Sequence, residues 1–229
     1  MELKILIADD HPIFRKGVNS FLNNDFPKST ITETADGDDA LSLLSTNEFD
    51  VAILDVDMPK MTGLDVCKTI KKVKIPTHVI IMTIYKDAEI LRKALENGAL
   101  GFLIKENTAE ELKQCIETVI SGEKYIAREL RTSEKINEQL KEHNKTIEKL
   151  ESLTNTELKT LRLVSEKHSS KEIADLLFIS PKSTENYRNR ICRKLDLSTT
   201  SNSLLIWAVE NKGIIKEFEK LNLLRNVSS

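Results

Sequence analysis

Five side chains stand out for what they could do together. Asp9 and Asp10 are adjacent, Asp55 stands in Val51-Ala52-Ile53-Leu54-Asp55-Val56-Asp57-Met58-Pro59, and Thr83 and Lys105 each close an apolar run. Carboxylates crowded into one place repel one another, so a cluster of them requires a cation, and hard oxygen donors with an open face suit Mg²⁺. One of those carboxylates could then attack a phosphoryl group, with an ammonium and a hydroxyl holding the phosphate oxygens. This assigns Asp55 as nucleophile, Lys105 as counter-charge and Thr83 as hydroxyl donor, with an aspartyl phosphate as product. Any one of these residues alone would read as a helix cap or a surface group. The set carries the inference.

Residues so far apart in the chain meet only if secondary structure brings them to one edge. Candidate strands at 5–8, 31–34, 51–54, 79–82 and 101–104 alternate with helical patterns at 14–22, 40–44, 64–70, 90–95 and 112–120. The first, third and fourth strands are apolar on both faces, as in the middle of a parallel sheet covered on each side by helices. Five such repeats predict an α/β domain with a doubly wound (βα)5 sheet, whose functional residues sit at the carboxyl ends of its strands. In the flavodoxin-like strand order, the ends of strands 1, 3, 4 and 5 converge, and these carry Asp9-Asp10, Asp55, Thr83 and Lys105.

Composition is consistent with that design. The 229 residues are 40% hydrophobic and 31% charged with 7 Gly and 5 Pro, which excludes disordered, collagenous and low-complexity classes. Apolar runs such as Val79-Ile80-Ile81-Met82 fall far short of the roughly 18–20 residues of a membrane span, and Met1-Glu2-Leu3-Lys4 does not begin a secretory signal. A cytoplasmic location without membrane attachment is expected. Cys67, Cys115 and Cys192 are widely spaced, which predicts reduced thiols and neither a disulfide framework nor a zinc site.

The net charge of −2 conceals a gradient. Residues 1–124 hold 15 basic and 21 acidic side chains, a balance of −6; residues 125–152 hold 6 of each; residues 153–229 hold 13 and 9, a balance of +4. Two domains with different partners are expected at 1–124 and 153–229, the basic one facing nucleic acid, with a helical linker at 125–152 between them. Within the linker, Ile136, Leu140, His143, Ile147 and Leu150 repeat at alternating spacings of 4 and 3. That stripe either rests on the protein's own domains or pairs two chains.

The basic end is helical throughout, and four helices are expected. Thr154 stands three residues before Glu157, a capping pair, and Ser180-Pro181 offers a cap followed by a first-turn proline. A short helix near 171–177, a tight turn and a longer helix from Pro181 to about Leu195 form a helix-turn-helix pattern. In the longer helix, Thr184, Ile191 and Leu195 face the core with Tyr187 or the stem of Arg188. Glu185, Asn186 and Asn189 are the candidates to read base edges, while Lys171, Lys182, Arg188, Arg190, Arg193 and Lys194 are assigned to phosphates. The apolar helix near 204–209 is expected to belong to the core.

These residues resemble a known family. Asp9-Asp10, Asp55 with Met58-Pro59, Thr83 and Gly101-Phe102-Leu103-Ile104-Lys105 look like a receiver domain of two-component response regulators. Leu153-Thr154 with Glu157, Lys171-Glu172-Ile173-Ala174, Ile179-Ser180-Pro181-Lys182 and Lys194-Leu195 look like a LuxR-type helix-turn-helix. Together they resemble the NarL/FixJ response regulators. The resemblance implies phosphorylation of Asp55 by a sensor histidine kinase, Asp10 and Asp55 as direct Mg²⁺ ligands, Asp9 as a ligand through water, and the Asp57 carbonyl as a further ligand. It also implies a switch pair, in which the Thr83 hydroxyl turns toward phosphate and the Phe102 ring rotates inward, and a homodimer on promoter DNA. Asp57 and Tyr85 would border the path of the water that hydrolyses the phosphate. Where the family usually shows Thr-Val and then His, this chain has Ser183-Thr184 and Tyr187, which bears on target preference. The expected protein is a phosphorylation-controlled transcription factor and not an enzyme. The alternatives are a haloacid-dehalogenase-like phosphatase, on the strength of Asp55-Val56-Asp57, or a receiver whose helical end binds only protein.

Overall fold

The computed structural model describes residues 2–106, 109–198 and 202–227, without the side chains of 221 and 223–227. The chain divides into two compact units, one ending at Leu140 and the other beginning at Lys141. In the first, strands alternate with helices: β1 (Lys4–Ala8), α1 (Pro12–Asp25), β2 (Thr30–Thr34), α2 (Gly37–Thr46), β3 (Val51–Asp55), α3 (Gly63–Val73), β4 (His78–Thr83), α4 (Ala88–Glu96), β5 (Gly101–Ile104) and α5 (Ala109–Ile120). Every strand pairing is parallel, and β3 lies at the centre of the order β2-β1-β3-β4-β5. This is the flavodoxin-like sheet. All five residues of β3 and all four of β5 are buried, because helices cover both faces, whereas the edge strand β2 stays half-exposed.

The sheet also has a member that sequence reasoning did not anticipate. β6 (Tyr125–Ile126) pairs parallel with β5, inside the stretch read as strand-free linker. The Tyr125 N–H donates to Leu100 O at 2.8 Å and the Ala127 N–H to Phe102 O at 2.9 Å. A two-residue strand has no periodicity to detect. It is followed by α6 (Arg128–Thr132) and α7 (Glu134–Glu151), and Ala127, Leu130 and Ile136 join the core of the sheet unit.

Local chemistry sets the helix starts. Pro12 opens α1, the Asp36, Thr62 and Asp87 side chains accept from backbone N–H groups at the starts of α2, α3 and α4, and Lys74 closes α3 in the left-handed conformation. The three side-chain caps satisfy donors that the helix itself leaves unpaired.

The second unit contains the end of α7 and five further helices: α8 (Asn155–Ser165), α9 (Ser170–Leu177), α10 (Pro181–Lys194), α11 (Ser203–Glu210) and α12 (Lys212–Val227). The last is additional to the four expected, and its Ile215 and Phe218, one turn apart, enter the core. Thr154 and Glu157 form the expected reciprocal capping box, Ser169 and Glu172 form a second, and Ser180 caps α10 ahead of Pro181.

The linker stripe is divided between the two units: Ile136 is buried in the core of the sheet unit with Leu140 half-buried against it, and Leu150 is buried in the core of the helical unit with Ile147 half-buried against it. Cys67, Cys115 and Cys192 are free and buried, and burial pushes the Cys67 thiol up to about 12. Among the described residues, no helix is long and apolar enough to cross a membrane.

Candidate functional site

Sheet register brings the acidic residues together. Ala8 pairs with Leu54, so Asp9 and Asp55 leave adjacent strands side by side, and Asp55 pairs with Met82, one residue before Thr83. Thr83 pairs with Ile104, and the Lys105 N–H donates to Thr83 O at 2.8 Å, which sets Lys105 at the same edge. All four positions therefore line the carboxyl edge of the sheet, as the strand order requires.

At that edge, Lys105 Nζ lies 2.7 Å from Asp9 Oδ2 and 2.7 Å from Asp55 Oδ2. The two carboxylates are 96% removed from solvent, while Asp10 is exposed beside them. Burial pushes the Asp55 carboxyl above its ordinary value, Lys105 pulls the other way, and the Asp9 charge adds to the rise. For Lys105, burial favours proton loss, but its bonds to Asp55 and Asp9 outweigh that and hold the ammonium above its usual range. The Phe14 ring lies under this ammonium, 4.8 Å from Nζ, and gives it an apolar, electron-rich floor.

Thr83 is fully buried, and its Oγ1 accepts from the Tyr85 N–H at 3.3 Å. Phe102, the other residue of the expected switch pair, is also fully buried. The Asp57 side chain is exposed and accepts from the Tyr85 hydroxyl at 2.5 Å, a bond that pushes the phenol's pKa up.

Three further residues shape this edge. His11, directly after the acidic pair, turns its ring into the cluster, where Nδ1 is 2.7 Å from Asp10 Oδ1 and 3.2 Å from Asp9 Oδ1. Gly63 opens α3 so close to β3 that a Cβ there would stand 2.0 Å from the Asp55 carbonyl oxygen. Phe14 was legible only as an apolar helix residue. An imidazole beside two carboxylates was open to reading from the sequence, whereas the roles of Gly63 and Phe14 depend on contacts made across the fold.

In the helical unit, α9 and α10 form the helix-turn-helix, and Phe178 closes α9 in the left-handed conformation. Thr184, Ile191 and Leu195 are buried as the helix geometry requires, with Cys192 beside them, and Tyr187 and Arg188 are half-buried. Lys182, Glu185, Asn186, Asn189, Arg190 and Arg193 are exposed on α10, and Lys171 is exposed on α9. Lys194 is exposed as well, and its ammonium also lies 2.6 Å from Glu157 Oε2 and 2.8 Å from Ser152 O, where it braces the start of α8.

Comparison with known proteins decides the family. Residues 5–117 match the response regulator receiver domain and residues 151–206 match the bacterial regulatory proteins of the luxR family. The chain is 33% identical over 214 residues to the oxygen regulatory protein NreC of Staphylococcus haemolyticus, covering 92% of this chain and 98% of that one. It belongs to the LuxR-type two-component response regulators.

Solved response regulators agree. The receiver domain of the putative response regulator NarL from Mycobacterium tuberculosis is 33% identical with a TM-score of 0.51, over 53% of this chain and 98% of that one. A LuxR-family two-component response regulator from Aurantimonas sp. SI85-9A1 is 26% identical with a TM-score of 0.56, over 61% of this chain and 98% of that one. This response regulator is therefore a DNA-binding transcription factor of two-component signalling, with the acidic edge in its receiver and α10 in its DNA-binding domain.

Proposed function

We propose that this response regulator is phosphorylated on Asp55 by a sensor histidine kinase in the cytoplasm and that the aspartyl phosphate controls its binding to promoter DNA as a homodimer. The receiver chemistry belongs to residues 1–124 and DNA recognition to 153–229, with 125–152 as the connecting segment. The observation that carries this reading is the convergence of Asp9, Asp10, Asp55 and Lys105 at one sheet edge.

The donor set suits a hard divalent cation. Asp9, Asp10 and Asp55 supply carboxylate oxygens within one cluster, and Asp57 is the nearby source of a carbonyl oxygen. Mg²⁺ held there would neutralise charge on the incoming phosphoryl group. Lys105 keeps the buried Asp55 carboxylate charged and therefore nucleophilic, and its ammonium remains at hand for the phosphate oxygens. The Asp55 carboxylate oxygen forms the new bond to phosphorus as the bond to the donor histidine nitrogen breaks. Thr83 then turns its hydroxyl from the Tyr85 N–H to a phosphate oxygen, with Phe102 as the other member of the switch pair.

Glu185, Asn186 and Asn189, exposed on α10, are assigned to base edges, and Lys171 on α9 with Lys182, half-buried Arg188, Arg190 and Arg193 on α10 to phosphates. The protein acts as a stoichiometric phosphoacceptor and not as a phosphatase with multiple turnover. Comparing DNA affinity and molecular mass of wild type and Asp55→Ala, with and without a small phosphodonor and Mg²⁺, tests the proposal. A phosphodonor-dependent gain in dimer and DNA affinity confined to wild type is expected, and identical behaviour of the two proteins would remove phosphorylation from the mechanism.

A further inference from the structure

The first turns of the linker are built into the receiver, next to residues that must respond to a phosphate. In the pairing of β6 with β5, the Ala127 N–H donates to the carbonyl of Phe102 itself. The Arg128 N–H donates to Glu111 Oε1 of α5 at 2.8 Å, the Arg131 guanidinium lies 5.4 Å from the centre of the Tyr125 ring, and Leu130 fills the core from α6. One side chain ties this segment to the phosphoacceptor edge. Lys86 Nζ lies 2.8 Å from Glu106 Oε2 and 2.9 Å from Glu129 Oε1. A single ammonium therefore joins the loop after β4, the loop after β5 and helix α6.

Two of these three residues stand beside the phosphate chemistry. Lys86 follows Tyr85, whose N–H is held by Thr83 Oγ1, and Glu106 follows Lys105, whose ammonium is held by Asp9 and Asp55. A Thr83 hydroxyl that turns to a phosphate oxygen gives up its bond from Tyr85, and a Lys105 ammonium that follows the phosphate gives up part of its hold on the carboxylates. Both ends of the Lys86–Glu106 contact then lose an anchor, while Glu129 stays on α6. A surface ion pair holds only while its geometry holds.

We propose that Lys86, Glu106 and Glu129 form a latch that fastens residues 125–132 to the receiver, and that phosphorylation of Asp55 opens it, so that the signal enters the linker through this ion cluster. The inference rests on the reading of Asp55 as the phosphoacceptor. The three side chains are 41%, 71% and 50% exposed, so the cluster adds little to the stability of the fold and its removal leaves the receiver folded. A weak contact suits a switch, because a small differential interaction is enough to shift it.

Hydrogen exchange of the full chain, with phosphate uptake followed by intact mass, tests this on wild type, Lys86→Met, Lys86→Arg, Glu129→Gln and Asp55→Ala, each with and without acetyl phosphate and Mg²⁺. The Tyr125 and Ala127 amides, bonded to Leu100 O and Phe102 O, report local opening of the segment. Without the phosphodonor, Lys86→Met and Glu129→Gln should exchange there about 2- to 5-fold faster than wild type, the worth of a surface ion pair, and Lys86→Arg should match wild type. With it, wild type should rise to the level of the two fast variants, these should rise no further, and Asp55→Ala should not respond. Fast variants that exchange like wild type without the phosphodonor, or a wild type that takes up phosphate with no rise at these amides, would overturn the latch and leave phosphorylation of Asp55 standing. No phosphate uptake by wild type, or equal uptake by Asp55→Ala, would instead overturn the phosphoacceptor reading and the response of the latch with it.

Discussion

The Tyr85 hydroxyl donates a 2.5 Å hydrogen bond to Asp57 Oδ2, joining the loop after β4 to the loop after β3, each two residues beyond a residue of the phosphoacceptor edge. This pairing places a phenol and a carboxylate together beside Asp55. If they restrain the water that hydrolyses the aspartyl phosphate, Tyr85→Ala and Asp57→Asn should shorten its lifetime. The net value of one hydrogen bond, about 0.5–1.5 kcal/mol, corresponds to about a 2- to 10-fold change in rate. Loss of radiolabelled phosphate from the purified proteins measures it, and rates equal to wild type would assign both residues to the surface alone.

Lys105 neutralises two carboxylates that are almost wholly buried. Lys105→Ala should therefore destabilise the receiver by about 3 kcal/mol, because removing one partner leaves buried charge unpaired. Mg²⁺ should restore part of that loss and raise the melting temperature of the variant more than that of wild type. Thermal denaturation followed by circular dichroism, with Mg²⁺ and with a chelator, reads both effects. A variant as stable as wild type under chelation would contradict this account of the ammonium.

Glu157 links α8 to Lys194 through a 2.6 Å ion pair and caps its own helix by accepting from the Thr154 N–H. Burial pushes its carboxyl up, but the bonds from Lys194 and Thr154 outweigh burial and hold it below the ordinary 4.5. A carboxyl lowered on folding stabilises the native state above its unfolded value, and that stability is lost as pH falls through the lower folded value. Unfolding of the helical unit, reported by its Trp207, the single tryptophan of the chain, should therefore become easier below about pH 4.5. Glu157→Gln should cost about 1 kcal/mol at neutral pH and flatten that acid dependence. An unchanged acid profile in the variant would show that other groups govern it.

Substitutions on α10 should separate the proposed base readers from the proposed phosphate contacts. Asn186→Ala should alter sequence preference, while Arg190→Ala should weaken binding to every DNA and reduce its salt dependence. Lys194→Ala should act differently from both, lowering the stability of the helical unit while leaving the salt dependence of DNA binding unchanged. DNA titrations at several salt concentrations distinguish the three, and a reduced salt slope for Lys194→Ala would return that residue to the phosphate-binding group.

The sequence by itself determined the parts that rest on period and local chemistry. Strand and helix alternation, the order Asp9-Asp10, Asp55, Thr83, Lys105, the Thr154–Glu157 box and the buried stripe of Thr184, Ile191 and Leu195 were all legible, because each depends on residues within a turn or a strand of one another or on a known spacing. The linker stripe was legible as a stripe, but its cover was not, since the same spacing serves two chains or one. Only the tertiary structure decided that Ile136 and Leu140 pack into the sheet unit while Ile147 and Leu150 pack into the helical one. It also decided the pairing of β6, the approach of Gly63 to the Asp55 carbonyl, the ion pair of Lys194 with Glu157 and the turn of His11 into the acidic cluster. The β6 pairing and the Lys194–Glu157 pair join residues more than twenty positions apart, while the approach of Gly63 to Asp55 and the contact of His11 with Asp55 depend on how α3 and the strands pack. No local pattern encodes such contacts, because they arise from strand register and helix packing.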